Sequence, residues 1–586
     1  MSQVPTLAAL LSQLVVDAAD RAGHAGVLDT VEPATPTNNP KFGDYQSNHA
    51  FRLGKALRTN PRKVAETVKS ELTDHPLVDR IDVAGPGFIN FHLNPTAVAA
   101  HVALQTASST AGIPQAGANH TVVIDYSSPN VAKRMHIGHM RSTIIGNAFH
   151  RLYEACGWTV VADNHIGDWG TQFGKLIVSW HKDLDKERFA ADPIAELERL
   201  YVAFGTWAEE DPSLADAARA ETAKLQAGDE DNTRLWKTFI EISLREFESV
   251  YQRLGVEFDV TLGESFYNDA LPGVVDSLLD AGIAIEDDSA VIIDFPEDHP
   301  VRAVRNRKLV IRKSDGAFLY GTTDLATLEY RLKEWSPREI VYVTDGRQQL
   351  HFTQVFEAWK TWRTSRGLST DDVALRHSWF GTLKLPQGSM STRKGNVIRL
   401  VDLLDEAVSR SRAVIDAKSS DLPDHERAAI AEAVGIGSVR YADLSQNPQS
   451  DVIFDWDRML SLDGNTAVFL LYSAARCFSI LRKVGVDASA LDLSVAAPEH
   501  PRERELVLAL ARFPEVVAIA RQSHRPNLLC DHLFETAQRL NRFYAACRVI
   551  QKDGIADPSR LALVALTGRV FRSGLSVLGI PVLERM

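Results

Sequence analysis

The chain has 586 residues, of which 45% are hydrophobic and 24% charged, and its formal net charge is −12. That length exceeds what one hydrophobic core supports and suits two to four domains of ordinary globular composition. An acidic whole argues against a basic coat protein for nucleic acid, although a local basic face is compatible with it.

In chain order, MSQVPTLAALLSQLVVDAAD lacks a basic leader region and reads as an amphipathic helix, not a signal peptide. No apolar run approaches the ~20 residues of a membrane span, so a soluble cytoplasmic protein is expected, with no membrane partner. The loop VEPATPTNNPKFGDYQSNHA precedes a helix, PRKVAETVKSEL, with Pro61 suited to its first turn. IDVAGPGFINFHL follows as a β-hairpin around Gly-Pro-Gly, and residues 106–120 have linker composition. Residues 1–115 are therefore expected to form a separate α+β domain.

At 121 the texture changes. TVVIDY is the apolar run of a buried parallel strand. A helix with Ile144, Ala148, Phe149 and Leu152 at helical spacing follows, closed by Cys156-Gly157, and TVVADN is the next strand. Strand, helix and strand in about forty residues make a βαβ unit. Residues 181–260 are acidic and helical. Residues 288–325 return to strands, with a hairpin expected around Ser314-Asp315-Gly316, and REIVYVTD at 338–345 is again of the parallel type. The expected layout is a catalytic domain over 116–400 with a mostly helical insertion at about 181–310. A helical connecting region, 401–464, and a helical domain, 465–586, complete it.

The stretch KRMHIGHMRST, 133–143, sets His136 and His139 about Gly138 where strand gives way to helix. A zinc site would need a third and usually a fourth ligand. The four cysteines (Cys156, Cys477, Cys530, Cys547) form no CxxC pair, so no metal site is expected. Plain packing of two histidines stays open. A phosphate site fits better: free N–H groups at a helix start favour anions, imidazoles donate to phosphate oxygens, and Lys133, Arg134 and Arg141 add positive charge.

DYSSPNVAKRMHIGHMRSTIIG resembles the HIGH region of class I aminoacyl-tRNA synthetases, specifically the arginyl-tRNA synthetases. The likeness continues through NHIGDWGTQFGKL, LYGTTDLA, GSMSTRKGNVI, FGDYQSNHAFRLGKALRTNPRKVAETV and the helical C-terminus from NTAVFLLYSAAR to VLERM. It spans nearly the whole chain, missing mainly 181–260. The implied fold is α/β: a Rossmann-type parallel-sheet catalytic domain with a helical insertion, a small α+β N-terminal domain and an all-α C-terminal anticodon-binding domain.

The implied reaction joins L-arginine to ATP as arginyl-adenylate, then moves the arginyl group to the 2′-hydroxyl of the terminal adenosine of tRNA(Arg). ATP is expected as its Mg²⁺ complex, with no tightly bound cofactor, in a monomer. By resemblance His136 and His139 hold the phosphates, with Ser128, Pro129 and Gly138 lining the nucleotide. The second class signature departs from KMSKS: the aligned residues are Ser389, Met390, Ser391, Thr392 and Arg393, followed by Lys394. Lys133 is expected to take over part of the missing lysine charge, beside Met390, Ser391, Arg393 and Lys394 as ATP contacts. Arginine is expected at Asp125 and Asn130 through its amino-acid end. Its guanidinium is expected at Asp324 and Tyr320, with Gln348 (or Gln349) beside them, since carboxylates match that planar fork. Asp168 and Gln172 are expected to shape the same pocket. For tRNA, the expected contacts are Phe42 and Tyr45 near the start and Arg539, Arg542, Tyr544 and Arg548 near the end. Another class I synthetase, a non-catalytic tRNA-binding paralogue and a small-molecule nucleotidylyl transferase are the rival readings.

Overall fold

The computed structural model describes residues 4–586 apart from 28–31, 38, 73, 386–387, 390–397, 419–421, 486–490 and 492. The chain divides into two compact units: Met1–Ala116 with Ala155–Gly157 and Leu460–Met586, and Gly117–Glu154 with Trp158–Met459.

The second unit is built on four parallel strands, β1 (Thr121–Asp125), β2 (Thr159–Asp163), β3 (Glu339–Tyr342) and β4 (Ala374–His377), in the spatial order β4-β3-β1-β2. β1 and β3 are fully buried after their first residues, which is why they read as apolar runs without alternation. Register sets Asp163, Asp125, Tyr342 and His377 in one row at the carboxyl ends of the strands. Chain direction leaves β1 toward β2 on one side while β3 lies on the other, so the crevice of the sheet opens beyond Asp125. Helix α1 (Ile137–Ala155) crosses from β1 to β2. It packs closely because Gly146 carries no side chain: a Cβ there would stand 2.3 Å from the Tyr126 ring.

Helices α2 (Thr171–Asp183), α3 (Pro193–Glu210) and α4 (Glu230–Leu254) follow β2, the last two within the stretch where the helical insertion is expected. Asp192 and Asp229 accept backbone N–H groups at the starts of α3 and α4, and Gly255 ends α4 at φ 63°. Their apolar faces meet in a core of Phe173, Ile177, Leu197, Leu200 and Phe239, joined by Val131 from the loop before α1.

The 288–325 region differs from expectation. Strands Ala284–Asp287, Ala290–Phe295 and Arg307–Arg312 form an antiparallel sheet, but the hairpin around Ser314-Asp315-Gly316 shrinks to one bridge, Arg312 to Phe318. Tyr320 instead opens helix α5 (Tyr320–Trp335), because Leu325 and Leu328 reach full burial only at helical spacing. Helix α6 (Gln349–Ser365) follows β3.

In the first unit the expected hairpin, Val78–Ala84 with Phe88–Leu93, forms. The stretch read as a Pro/Asn-rich loop adds two short strands to it, Thr35–Pro36 and Tyr45–Ser47. Four helices (Ala467–Val484, Pro501–Ser523, Asn527–Ala546, Pro558–Val577) pack on one another, and the second also receives the N-terminal part. Glu515 accepts hydrogen bonds from Ala8 N (2.8 Å) and Tyr45 Oη (2.9 Å), and Asp44 pairs with Arg504 at 2.7 Å. Among the described residues no helix is long and apolar enough to cross a membrane.

Candidate active site

Between β1 and α1 the chain turns through three non-glycine residues with positive φ: Ser127 (70°), Ser128 (47°) and Ala132 (63°). Such conformations cost energy and persist only where surroundings impose them. Here the N–H of Ser127 donates to Ser142 Oγ (2.9 Å), that of Ser128 to Asn164 Oδ1 (3.1 Å) and that of Ala132 to Ser243 Oγ on α4 (2.8 Å).

The turn delivers the two histidines together, ring centroids 4.0 Å apart. The N–H of His136 donates to His139 Nδ1 (3.1 Å), and the N–H of Gly138 to His136 Nδ1 (3.0 Å). A ring nitrogen that accepts carries no proton, so each neutral imidazole presents its N–H at Nε2. Burial lowers both pKa values, with Lys133 nearby adding to the effect. His139, repelled also by His136, falls to about 3. The pair is thus a set of uncharged donors at neutral pH. A side chain at Gly138 would meet His136 Cε1 at 2.7 Å, so glycine is needed for the ring itself as well as for a ligand.

The three basic residues around this turn have different fates. The Lys133 ammonium sits over the Tyr201 ring of α3, 4.2 Å from its centroid. Arg134 pairs with Asp192, while its backbone N–H donates to Glu198 at 2.6 Å. Arg141 is fully buried and bonded to Asp443 at 2.8 Å, so it supplies no charge to a phosphate. Beyond GSMSTRKGN the chain returns to the histidines: Ile137 N donates to Ile398 O (3.1 Å) and Leu400 N to Met135 O (2.9 Å). Met390, Ser391, Arg393 and Lys394 lie outside the described residues.

A cavity of about 390 Å³ opens at the carboxyl end of the sheet. Asp125, Ser128, Asn130, Tyr320, Asp324 and Gln348 all line it; Gln349 instead directs its amide to Gly346 O at 2.9 Å. Asp125 stands at the end of β1, and Tyr320 and Asp324 share a face of α5, one turn apart. Asp125 Oδ1 accepts from Ser128 Oγ at 3.0 Å. Asp324 Oδ2 meets His351 Nε2 at 2.5 Å. Burial pulls the His351 imidazole down, but the bond to Asp324 leaves it above its ordinary value.

Sequence reasoning missed Glu264, His165, Tyr342 and His351, which line the same cavity. Burial, then the charges of Asp168 and Asp324, push the Glu264 carboxyl up to about 8. No local pattern sets Glu264 apart from the other acidic residues; His351 stands in the GRQQLH segment, where its spacing from Gln348 was the available signal. Asp168 holds both Ser265 N (2.8 Å) and Ser265 Oγ (2.6 Å), and Gln172 holds Gly167 O (3.2 Å). Asp168 thus supports the segment that presents Glu264 and Gln172 the Gly167 side of the wall, and neither is among the residues that line the cavity.

In the first unit a second cavity, of about 830 Å³, is lined by Tyr544 and Arg548 together with Tyr472, Arg476, Arg482 and Lys483. The Arg476 guanidinium lies over both tyrosines, 5.0 Å from the Tyr472 centroid and 5.8 Å from that of Tyr544. Arg542 is exposed, whereas Arg539 is half-buried beside Glu535. Phe42 is exposed at the surface. Tyr45 is not: its ring is fully buried under Arg512 and its hydroxyl is spent on Glu515, which removes it as a tRNA contact.

Neutral imidazole donors at a β1–α1 turn, above a parallel sheet whose crevice holds an acidic, amino-acid-sized cavity, are the arrangement of a class I aminoacyl-tRNA synthetase, and the family match bears that class out. The chain matches the family tRNA synthetases class I (R), catalytic domain, over residues 102–456. It matches the DALR anticodon binding domain over 470–586 and the arginyl tRNA synthetase N-terminal domain over 9–93. It is 45% identical over 557 residues to an arginine–tRNA ligase of Fusobacterium nucleatum, covering 94% of this chain and 95% of that protein. It is 41% identical over 588 residues to one of Chloroflexus aggregans, covering 98% and 99%. The arginyl-tRNA synthetase structure of Plasmodium falciparum superposes with a TM-score of 0.82 at 26% identity over the full length of both chains. This chain belongs to the arginyl-tRNA synthetases, the ATP-dependent ligases that charge tRNA(Arg) with arginine.

Proposed function

We propose that the sheet-end cavity takes L-arginine with its guanidinium between Glu264 and Asp324 and its α-amino group at Asp125 and Asn130. Tyr320 and Gln348 complete the lining. The observation that carries this reading is the convergence of carboxyls from three separate segments, Asp125 buried and Glu264 and Asp324 half-buried, on one cavity of amino-acid size. A planar five-donor cation matches such a site, and a substrate lacking it gives these carboxyls no charge partner of its own, so discrimination is strong.

ATP enters as its Mg²⁺ complex beside Ser128, Pro129 and Gly138. The carboxylate of arginine attacks the α-phosphorus, a new O–P bond forms and the bond to pyrophosphate breaks. His136 and His139 donate from Nε2 to the phosphate oxygens where charge grows, each such bond being worth ~3 kcal/mol. Lys133 leaves Tyr201 to add positive charge there, with Met390, Ser391, Arg393 and Lys394 of the second signature as further ATP contacts. The 2′-hydroxyl of the tRNA end then attacks the activated carbonyl and AMP leaves.

Residues 465–586 act as the anticodon-binding domain, through Tyr544, Arg542, Arg548 and the more buried Arg539. Residues 1–115, with Phe42 exposed, form a tRNA-contacting domain. The catalytic domain runs over 116–400 with its insertion at about 181–310, and 401–464 connects it onward. The enzyme works as a monomer in the cytoplasm. Support for the tRNA surface is the pairing of arginines with exposed tyrosines, which suits phosphates and unpaired bases.

Arginine-dependent ATP–pyrophosphate exchange, run with and without tRNA(Arg) and beside Lys133→Ala, tests the reading. Exchange that needs tRNA and drops by about 100-fold in the variant is expected. Exchange without tRNA removes the tRNA requirement alone; undiminished exchange in Lys133→Ala removes the role of Lys133.

A further inference from the structure

Asp125 does not face the cavity as a simple carboxylate. Its Oδ2 accepts from Arg331 Nη2 at 2.6 Å, and the same Nη2 lies 2.7 Å from Asp163 Oδ2, which Arg331 Nε also approaches at 3.3 Å. All three side chains are buried, Arg331 and Asp163 completely. The geometry follows from the fold. Asp163 and Asp125 are register partners at the ends of β2 and β1, Tyr342 is the next residue in the row on β3, and Arg331 descends from α5 onto all three. Its guanidinium lies 5.1 Å from the Tyr342 ring centroid.

As a device for stability this arrangement is poor. Buried charges cost several kcal/mol each in desolvation, and an apolar cluster of equal volume would serve as well. Arg331 Nη1 and Asp163 Oδ1 are buried with no hydrogen-bond partner in the structure. Tyr342 Oη and Tyr267 Oη are likewise buried without a partner, so several polar atoms around this guanidinium go unpaired, as expected where stability yields to another demand.

The demand can be read from the charges. Asp125 paired with Arg331 alone would be neutral and would hold a substrate ammonium weakly. Asp163 shares the same guanidinium, so two carboxyls stand against one cation, and with Asp163 ionised the group carries one negative charge that reaches the cavity through Asp125. Burial, with the neighbouring Asp125 carboxylate, holds the Asp163 carboxyl above its ordinary value, although the Arg331 guanidinium and His165 pull against that shift. Burial also pulls the guanidinium down, but Asp125, Tyr342 and Asp163 together hold it well above its ordinary value.

We propose that Arg331 and Asp163 are positioning residues for the α-amino group of the amino acid: Arg331 fixes the Asp125 carboxylate at the cavity mouth, and Asp163 restores the negative charge that Arg331 would otherwise cancel. This rests on the reading of Asp125 as the α-amino contact. Arg331 also ties that contact to α5, the helix that carries Tyr320 and Asp324, so both ends of the substrate are referred to one rigid element.

The test uses the full chain with tRNA present and two ligands, arginine and 5-guanidinopentanoate, which keeps the guanidinium and carboxylate but lacks the α-amino group. Asp163→Asn keeps the shape and removes the charge. It is expected to raise KM for arginine about 10-fold, the size of one partly screened charge contact, with the inhibition constant of the analogue and KM for ATP unmoved. Asp163→Glu, which retains the charge, is expected to stay within about threefold of the parent enzyme. If Asp163→Asn does not fold, Arg331→Lys tests the other half of the proposal: it keeps the positive charge but cannot bond both carboxyls, and a rise in KM for arginine with the analogue unmoved is again expected. Equal shifts for arginine and analogue, or no shift for either, overturn the proposal. Asp125→Asn separates the levels: if it also weakens both ligands alike, the reading of Asp125 fails, and if it weakens arginine alone while Asp163→Asn does not, only the role of the triad fails.

Discussion

Glu264 and the histidine pair show what burial does to single groups in this site. The imidazoles are driven neutral and keep their donor hydrogens at Nε2, so they need not titrate to meet a phosphate. Glu264 is driven the other way, up to about 8, by burial and by Asp168 and Asp324. Its carboxyl is therefore mostly protonated at pH 6 in the free enzyme and becomes a carboxylate as pH rises. A guanidinium binds the carboxylate and not the acid. The expected result is that kcat/KM for arginine rises between pH 6 and pH 8, by up to about tenfold per unit, and levels above that. Glu264→Gln is expected to lower it and flatten the rise; a steep rise surviving in that variant would assign the titration to another group. His351 is the neighbour to watch, since its bond to Asp324 raises it in the same direction.

At the level of elements, helices α3 and α4 act as supports for the turn before α1. Ser243 of α4 holds Ala132, Glu198 of α3 holds the Arg134 backbone, and Tyr201 of α3 holds Lys133. An acidic, helical stretch that falls outside the recognised motifs is thus attached to the residues just upstream of His136. In the other unit, Glu515 joins the helix Pro501–Ser523 to Ala8 and Tyr45. Burial raises its carboxyl to about 7, from 4.5. Between those values the folded chain keeps a proton that the unfolded chain has lost. The stability this contributes is complete below about pH 4.5 and falls as pH climbs to about 7, by at most ~1.4 kcal/mol per unit. Denaturant unfolding of the parent and of Glu515→Gln at pH 5 and pH 7 measures it: the difference between the two proteins is expected to change by about 1–2 kcal/mol over that range. A constant difference would show that Glu515 does not titrate there.

For the molecule as a whole, a net charge of −12 has to coexist with recognition of a polyanion. Long-range attraction is then weak, and binding must rest on local cations and stacking. The cavity lined by Tyr472, Arg476, Tyr544 and Arg548 is the surface we propose for both. Arg476, held by Asn541 and covering two tyrosine rings, is its most connected cation. Arg476→Ala is expected to raise KM for tRNA by about 10-fold or more while KM for arginine stays within about twofold. Steady-state aminoacylation reads both, and a parallel rise in the two constants would point to general misfolding.

Much of this protein was legible before folding was considered. The buried strands, the helix after HIGH, Pro61 at a helix start and the Gly-Pro-Gly hairpin are encoded within a few residues, because backbone hydrogen bonding and apolar periodicity are short-range. Asp125, Asn130, Tyr320, Asp324 and Gln348 were named from motifs, and the fold draws all five to one cavity. What local pattern could not carry was partnership. Arg331 and Asp125 are 206 residues apart, and nothing near either announces the other. Glu264 is one acid among 76 acidic residues until α5 and the 164–176 segment bring Asp324 and Asp168 beside it. Tyr45 looked like a surface aromatic until the helix Pro501–Ser523 closed over it. Charge, burial and pairing depend on which distant segments share a low-dielectric space, and only the folded chain brings those segments together.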